Sequence, residues 1–394
     1  MKGRTLVAAM AVGQVGGLLP HVTVPATMSA HLIPLWHLSN GEAGLMASAY
    51  ALGYMVAVPF LTTLTDRIDA RRILIGGSLV NALATVAFGL LADGMISAMI
   101  LWALVGAGFA GAYMPGLKAL TDRLDPGDSS RSVTLYTASF SFGVGLSFLV
   151  CQLVADGLGW RWSFVLTGLA PLAMTAVAWS LKPVTPPPKS GPLLDLVPAL
   201  RNRAAIGYSL AYGWHCFELY GLRTWLVAFW GFVAASGGAP LGVVAVSSLV
   251  ALLAMPASIL GNELALKLGR HRAITIVMLA SAAVALAIGF SAGLSPWLSF
   301  VLMMVYAFTV PGDSGALTSG MTASADPRYR GASMAVHSAI GFVLTAAGGW
   351  VVGVALDLAG GVRQPHAWAL AYAVMAAAAA MGPLSLWWSR TRAT

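Results

Sequence analysis

Charged residues are scarce in this chain of 394 residues. Asp, Glu, Lys and Arg make up 9% of it, whereas hydrophobic residues make up 58%. Soluble domains carry about 25% charged and about 45–50% apolar residues, because a folded chain needs a polar surface. The composition therefore excludes a soluble domain, a disordered chain and a coiled coil, and it predicts an integral membrane protein.

Cysteine is nearly absent, and so are the motifs of several enzyme and pump classes. Cys151 and Cys216 lie far apart in apolar runs, so the sequence predicts neither a disulfide framework nor a Cys/His metal or haem site. It contains no G-x-x-x-x-G-K-[ST] run, which excludes an ATP-driven pump of that type, and no H-E-x-x-H pair of zinc ligands. We therefore expect a protein that is not an enzyme and that binds no cofactor or metal.

Long apolar runs fill most of the chain, and they are continuous rather than alternating, which excludes a transmembrane β-barrel. A spanning helix needs about 20 predominantly apolar residues. The sequence thus predicts an all-α membrane protein with twelve transmembrane helices. The predicted spans cover roughly residues 6–32, 42–64, 72–92, 95–120, 133–156, 162–181, 204–231, 239–262, 273–291, 296–321, 332–357 and 366–388.

The basic residues indicate how the chain crosses the membrane. The net charge of +8 would suggest a nucleic-acid partner in a soluble protein, but here the basic residues sit in short loops. Of the 22 Lys and Arg residues, 18 fall on one side and only Arg161 and Arg363 on the other. Because basic loops stay in the cytoplasm, both termini are predicted to be cytoplasmic, and no nucleic acid is expected.

The two halves of the chain resemble each other. A proline-rich cytoplasmic linker, residues 182–203, separates a predicted six-helix half, 1–181, from a second, 204–394. Three short features recur about 200 residues later: Asp125-Pro126 at Asp326-Pro327, Asp156 at Asp357, and Arg67 at Lys267. Such repeats are typical of transporters whose substrate site lies near the bilayer midplane.

Several motifs resemble those of the major facilitator superfamily. The loop after span two reads Asp66-Arg67-Ile68-Asp69-Ala70-Arg71, which resembles the family pattern G-x-x-x-D-R-x-G-R-R without its glycines. Span four contains G-x-G-x-A-G at 106–111, and span six begins with G-W-R-W-x-F at 159–164. The resemblance implies two six-helix halves, a cavity lined by spans one, four, seven and ten, and a cytoplasmic latch in which Asp66, Arg67 and Arg71 gate the transporter. Membrane topology and helix capping are the alternative roles of Asp66 and Arg67.

Two departures from the family pattern concern its drug exporters. Trp102 stands where the span-four motif often has Arg, and residues 147–152 lack the G-P-x-x-G-G signature of many proton-linked exporters. The sequence therefore disfavours drug–proton antiport without excluding it.

Ionisable residues inside the spans are candidates for coupling. A charge at the bilayer centre costs at least about 2.5–3.5 kcal/mol, so its presence needs a reason. Glu218 lies in the middle of span seven, on one helical face with His215, Trp214 and Trp225. Asp313 lies in Pro311-Gly312-Asp313, which suggests an interrupted helix around a site. We predict that both carboxyls couple transport to protons; the alternatives are a packed ion pair for Glu218 and a helix cap for Asp313.

Arg223, also in span seven, is predicted to contact an anionic substrate, and the alternative is snorkelling of its side chain to the interface. Lys118 is predicted to be a charge at the end of its helix that reaches the cytoplasm, and the alternative is attraction of an anion. The complete predicted substrate-binding set is His21, Tyr113, Trp214, His215, Arg223 and Trp225.

These observations favour a secondary active transporter, a proton symporter of a small organic solute that works by alternating access, and they tilt towards an organic anion. Export of hydrophobic or cationic compounds, a multi-span sensor or assembly factor without flux, and a membrane-embedded enzyme are the alternatives. The expected partners are the solute, protons and the lipid bilayer. The Ala-, Gly- and Trp-rich composition and short loops fit a multi-pass monomer in a bacterial inner (plasma) membrane.

Overall fold

The structure is a computed structural model that describes residues 3–124, 129–186, 196–326 and 329–390. Every regular element among these residues is helical, which confirms the predicted all-α class. Residues 187–195 of the predicted linker, which include Lys189, and the Asp125-Pro126 motif lie outside the described residues, as does Pro327 of its repeat. In chain order the elements are α1 Gly3–Leu18, α2 Thr23–Thr27, a π-helical turn Met28–Leu32, α3 Ile33–Trp36, α4 Asn40–Leu64, α5 Ala70–Leu91, α6 Met95–Thr121, α7 Ser129–Leu158, α8 Trp160–Leu169, α9 Pro171–Ser180, α10 Val197–Arg201, α11 Arg203–Ala235, α12 Val243–Leu268, α13 Arg270–Ser291, α14 Pro296–Thr309, a 3₁₀ turn Val310–Asp313, α15 Ser314–Ser324, α16 Arg330–Leu358 and α17 Pro365–Ser389.

Ten helices of the described chain are long and apolar enough to cross a membrane, or eleven if the bent pair Gly3–Leu18 and Thr23–Trp36 forms one span. The 33-residue helix α11 is not among them. It carries Glu218 and Arg223, and these two charges lower the mean hydropathy of its apolar half. The count of twelve spans and the cytoplasmic position of both termini therefore stay predictions.

The chain divides by its internal contacts into two compact units. The first comprises Met1–Thr27 and Ala49–Leu194, and the second comprises Met28–Ser48 and Asp195–Thr394. In the first unit, α5 packs against α6, α8 and α9, while α1 packs against α7 and α9. In the second, α11 packs against α15, α16 and α17, and α13 packs against α17.

Helix α1 ends just before Pro20, because proline cannot supply the backbone N–H that would continue the helix. The chain bends by 47° before it continues in α2 and α3. Ser147 on α7 satisfies the freed backbone groups: its hydroxyl donates to the Leu19 carbonyl at 2.6 Å and accepts from the Val22 N–H at 3.3 Å. The segment that lacks the exporter signature thus stabilises the break in the first span.

A second interruption divides the helix that begins at Pro296. A 3₁₀ turn, Val310–Asp313, separates α14 from α15. Helix α12 crosses this turn so closely that a Cβ atom at Gly261 would overlap the carbonyl oxygen of Gly312. A glycine at position 261 is therefore required for the contact that holds the turn in place.

Asp357 shows what one of the repeated motifs does. Its carboxylate accepts hydrogen bonds from the Asn40 N–H at 3.0 Å, the Asn40 side-chain amide at 2.7 Å and the Gly41 N–H at 2.6 Å. An acidic group at the first turn of α4 satisfies backbone donors that have no partner within the helix. Asp156, its repeat counterpart at the end of α7, is exposed.

Two arginines clamp α5 and the α8–α9 span at opposite ends. Arg71, in the first turn of α5, donates to the carbonyls of Ala178 at 3.0 Å and Trp179 at 2.9 Å, in the last turn of α9. Arg161, in the first turn of α8, donates to the carbonyls of Gly89 at 2.9 Å and Ala92 at 3.3 Å, at the end of α5. Each arginine therefore satisfies the free carbonyls that end the other span.

This reciprocal clamp predicts a stability effect. Hydrogen bonds from charged groups contribute about 1.5–3 kcal/mol when well formed and less when exposed. We expect Arg71→Gln to lower the free energy of unfolding in detergent by about 1–2 kcal/mol, as measured by denaturant titration. The matched control is Arg72→Gln, because Arg72 is the next residue and its side chain is exposed. Equal stability of the two variants would contradict the clamp.

Candidate functional site

Helix α11 carries three ionisable side chains into the apolar interior of the second unit. His215 and Glu218 are each 2% exposed, and Arg223 is 8% exposed. Asn202 caps the start of α11 by accepting a hydrogen bond from the Ala205 N–H at 3.0 Å. Because charges inside a membrane are costly, they are typically retained where they bind ions or substrates.

His215 pairs with the carboxylate at the interruption of the α14–α15 span. Its Nδ1 lies 2.6 Å from Oδ1 of Asp313, and Asp313 is 3% exposed. The separation is that of an ion pair, although the angle departs from that of a linear hydrogen bond. The 3₁₀ turn thus places a carboxylate beside an imidazole in the buried interior, which is an arrangement that a single proton can alter.

Glu218 is held by two hydroxyl donors from neighbouring helices. Its Oε1 accepts hydrogen bonds from Ser281 Oγ on α13 at 2.7 Å and from the Tyr306 hydroxyl on α14 at 2.9 Å. The sequence analysis named Glu218 but missed both partners. The sequence gives only a weak indication of Ser281 and Tyr306, because a serine or a tyrosine in an apolar span is as often a simple contact between helices as part of a functional site.

The polar cluster continues from His215 to α16. The Tyr212 ring stacks on His337 with centroids 4.1 Å apart and also lies parallel to the His215 ring at 5.8 Å. His337 Nδ1 lies 3.2 Å from Ser209 Oγ, while its buried Nε2 has no hydrogen-bond partner among the described residues. Two histidines, two carboxyls and several hydroxyls therefore line one connected polar region.

Arg223 lies one and a half turns beyond Glu218 on the same helix. Its guanidinium is 5.1 Å from the centre of the Tyr220 ring, a cation–π contact. In the described part of the chain, no Asp or Glu lies within ion-pair distance of it. A buried guanidinium of this kind can bind a carboxylate or phosphate through parallel N–H donors.

The two tryptophans predicted to line the site, Trp214 and Trp225, differ in their surroundings. Trp225 is 1% exposed, and its indole N–H donates to the Gly349 carbonyl at 2.9 Å, so it packs α11 against α16. Trp214 is half-buried beside Phe217. Trp214 therefore keeps more free surface for a substrate than Trp225 does.

His21 and Tyr113 belong to an aromatic cluster within the first unit. His21 Nδ1 lies 2.9 Å from the Tyr50 hydroxyl, and its ring meets those of Phe109 and Phe140 at 5.6 and 5.5 Å. Tyr113 stacks on Phe109 at 5.8 Å. The break after α1 therefore brings His21 among the aromatic side chains of α4, α6 and α7.

The loop between α4 and α5 contains the predicted gating residues. Asp66, half-buried, and Arg67, exposed, lie in the turn after α4, whereas Arg71 belongs to the clamp described above. Asp69, which the sequence analysis did not single out, is the carboxylate at the centre of this region. It accepts hydrogen bonds from Arg123 Nη2 at 2.9 and 3.0 Å and from the Val184 N–H at 2.8 Å.

Burial acts to raise the pKa of Asp69, but hydrogen bonds from the Val184 and Arg71 N–H groups and from Arg123 outweigh it and hold the pKa below its usual range. Arg123 also donates to the Lys182 carbonyl at 2.9 Å. The first residues of the linker are thereby anchored to α5 and α6.

The described residues contain no group of three or more His, Cys, Asp or Glu side chains placed to hold a metal ion. The described chain thus combines many helices that could cross a membrane with a buried cluster of ionisable side chains. The model of the Major Facilitator Superfamily matches residues 5–349. The chain belongs to this superfamily, which confirms the resemblance seen in its motifs.

Solved structures with the same fold include a bacterial homolog of the human lysosomal transporter Spinster. In its inward-facing, unoccupied conformation that protein matches with a TM-score of 0.77 and 18% identity, over 99% of this chain and 98% of its own. In its occupied conformation the TM-score is 0.73 and the identity 17%, over 98% of this chain and 94% of its own.

Curated relatives carry spinster names as well. The "Probable sphingolipid transporter spinster homolog 1" of Arabidopsis thaliana is 24% identical over 148 residues, 38% of this chain and 30% of the relative. "Protein spinster homolog 1" of Bos taurus is 26% identical over 208 residues, 49% of this chain and 39% of the relative. The matches thus span well under half the length of these relatives. This chain is a transporter of the Major Facilitator Superfamily, and it is similar to spinster proteins.

Proposed function

We propose that this protein is a proton-coupled secondary transporter of an organic anion that works by alternating access. The observation that carries the proposal is the ion pair between His215 and Asp313, 2.6 Å apart and buried at the 3₁₀ turn of the α14–α15 span. A broken membrane helix with a titratable group at the break is a recurrent way to build a coupling site.

A proton can change this site in a defined way. When Asp313 takes up a proton, the ion pair with His215 is replaced by a contact between a neutral acid and the imidazole. The 3₁₀ turn then loses its charged contact with α11. Glu218 offers a second carboxyl on α11, one turn from His215, and it accepts hydrogen bonds from two hydroxyl groups.

The anionic character of the substrate follows from Arg223. This arginine is buried without a carboxylate partner among the described residues, so binding an anion would offset the cost of its isolated charge. His215 and Trp214, on the same helix as Arg223, are further proposed contacts of the substrate. The contacts predicted for His21, Tyr113 and Trp225 stay predictions.

The predicted gate, symport and location belong to the same proposal. Asp66 and Arg67 would latch the cytoplasmic ends of the helices, and Arg71 supports them by fixing α5 against α9. We propose a monomer in a bacterial inner membrane that takes up substrate together with protons.

A second candidate substrate is an amphiphilic lipid with an anionic headgroup. It is favoured by the relative from Arabidopsis thaliana, which is named a probable sphingolipid transporter. In this case Arg223 would bind the anionic headgroup.

The test is flux in liposomes that contain the purified protein and an internal pH-sensitive dye. Succinate, benzoate and an anionic sphingolipid are offered separately, with and without an acidic exterior. We expect proton entry together with one class of anion, and accumulation that requires the pH gradient. Flux of hydrophobic cations alone would instead support the exporter, and no flux of any compound would support a sensor.

A further inference from the structure

Helix α11 is tied to the broken α14–α15 span at two points, one on each side of the α14 end. Tyr306, near the end of α14, donates to Glu218 at 2.9 Å, and Asp313, in the 3₁₀ turn, pairs with His215 at 2.6 Å. His215 and Glu218 are three residues apart on α11 and share one face, whereas Tyr306 and Asp313 are seven residues apart along the broken span. The segment from Tyr306 to Asp313, which includes the turn, therefore contacts α11 at both of its ends.

The tie at Glu218 also includes a third helix. Ser281 on α13 donates to the same oxygen, Oε1, at 2.7 Å. Ser281 and Tyr306 are 1% and 0% exposed, so both donors are buried together with the carboxylate. An ionised carboxylate accepts stronger hydrogen bonds than a neutral acid does, and these two bonds hold α11, α13 and α14 together while Glu218 is ionised.

We propose that Tyr306 and Ser281 are positioning residues that transmit the protonation of Glu218 to the interruption of the α14–α15 span. This inference rests on the proposed function, and it adds two residues that the proposed function does not itself require. When a proton adds to Glu218, the carboxyl becomes a weaker acceptor and itself a donor, and no other covalent bond is made or broken. The hydrogen bonds from Tyr306 and Ser281 then weaken, and the end of α14 is held less firmly to α11.

Several titratable or charged groups lie around Glu218 and influence its protonation. His215 and Arg223 lie on its own helix, Asp313 lies on the 3₁₀ turn and Tyr372 on α17 has its ring 6.0 Å from that of Tyr306. Helix α16 adds His337, stacked on Tyr212. Tyr306 belongs to the last turn of α14, just before the 3₁₀ turn, and its hydroxyl donates to the Glu218 carboxyl. It therefore links the protonation of Glu218 directly to the position of α14.

The experiment uses infrared difference spectroscopy of the purified full chain in detergent while the pH is changed. The absorption of a protonated carboxyl that disappears in Glu218→Gln identifies Glu218. Removing one donor disfavours the ionised form, so in Tyr306→Phe we expect the midpoint of this signal to move up by about one pH unit. Ser281→Ala should shift it in the same direction.

Tyr372→Phe is the matched control, because it removes a buried hydroxyl from a neighbouring ring that makes no hydrogen bond to Glu218. We expect no shift there. In liposomes, Tyr306→Phe should keep anion exchange but change the pH profile of gradient-driven uptake.

The outcomes separate this inference from the proposed function. A Glu218 signal with the same midpoint in Tyr306→Phe and Tyr372→Phe would overturn the role of Tyr306. A wild-type protein that transports without protons would overturn the proposed function and this inference with it.

Discussion

Asp313→Asn should abolish gradient-driven accumulation of substrate while leaving exchange of substrate across the membrane in place. The substitution keeps the shape of the side chain and removes its charge, so His215 loses the carboxylate that now lies 2.6 Å from its Nδ1. Removing one partner of a buried ion pair typically costs about 3–5 kcal/mol. At about 1.4 kcal/mol per tenfold change, this corresponds to a factor of at least about 10². The expected loss of proton-driven accumulation is of that size.

The measurement is uptake into liposomes with an acidic exterior, compared with counterflow at equal pH on both sides. Counterflow separates a loss of coupling from a misfolded protein, because it needs a folded, substrate-binding transporter but no proton gradient. Asp156→Asn is the control, since it makes the same substitution at an exposed carboxyl. Accumulation at the wild-type level in Asp313→Asn would remove Asp313 from the coupling mechanism.

The sequence predicted the class of the fold for a simple reason. An apolar run of about 20 residues has few alternatives to a spanning helix, because every backbone group must be satisfied inside the bilayer. The same reasoning found Glu218 and Asp313, since an isolated charge is conspicuous in an apolar segment. Helix α11 is harder to recognise as a spanning helix, because the charges that make it a candidate functional helix also lower its mean hydropathy.

The contacts of these residues could not be read from the sequence. Pro311 and Gly312 suggested an interruption near Asp313, but nothing in the sequence indicated that the resulting 3₁₀ turn faces His215 rather than Glu218. The donors Ser281 and Tyr306 lie 63 and 88 residues from Glu218. Such pairs depend on how helices cross, and a side-chain hydroxyl leaves no periodic pattern that would reveal them.

The loop after α4 gives a second example. The motif drew attention to Asp66 and Arg67, yet the acidic group that joins α5, Arg123 and the start of the linker is Asp69. Asp69 occupies a position where the family pattern has glycine. Its role depends on the distant backbone of Val184, which only the folded chain brings within 2.8 Å.

Arg223→Gln should weaken the binding of anions by about 10- to 100-fold. The guanidinium is buried over the Tyr220 ring, and no Asp or Glu pairs with it within the described residues. A hydrogen bond to a charged group contributes about 1.5–3 kcal/mol, which is a factor of roughly 10 to 150 at 1.4 kcal/mol per tenfold change. The measurement is the thermal shift of the detergent-solubilised protein in titrations of succinate, benzoate and an anionic sphingolipid, since a ligand that binds the folded state raises its apparent stability.

Two further variants test whether a loss of anion affinity in Arg223→Gln is caused by the loss of direct contacts between the guanidinium and the anion. Arg223→Lys keeps the charge but not the planar pair of donors, so its affinity should fall between those of the wild type and the Gln variant if the anion is held by parallel N–H groups. Arg363→Gln removes an exposed arginine and should change nothing. Unchanged anion affinity in Arg223→Gln would place Arg223 outside the binding site. Because the charge would then be retained without a ligand, the argument for an anionic substrate would fail as a whole, while the coupling role of Asp313 would be unaffected.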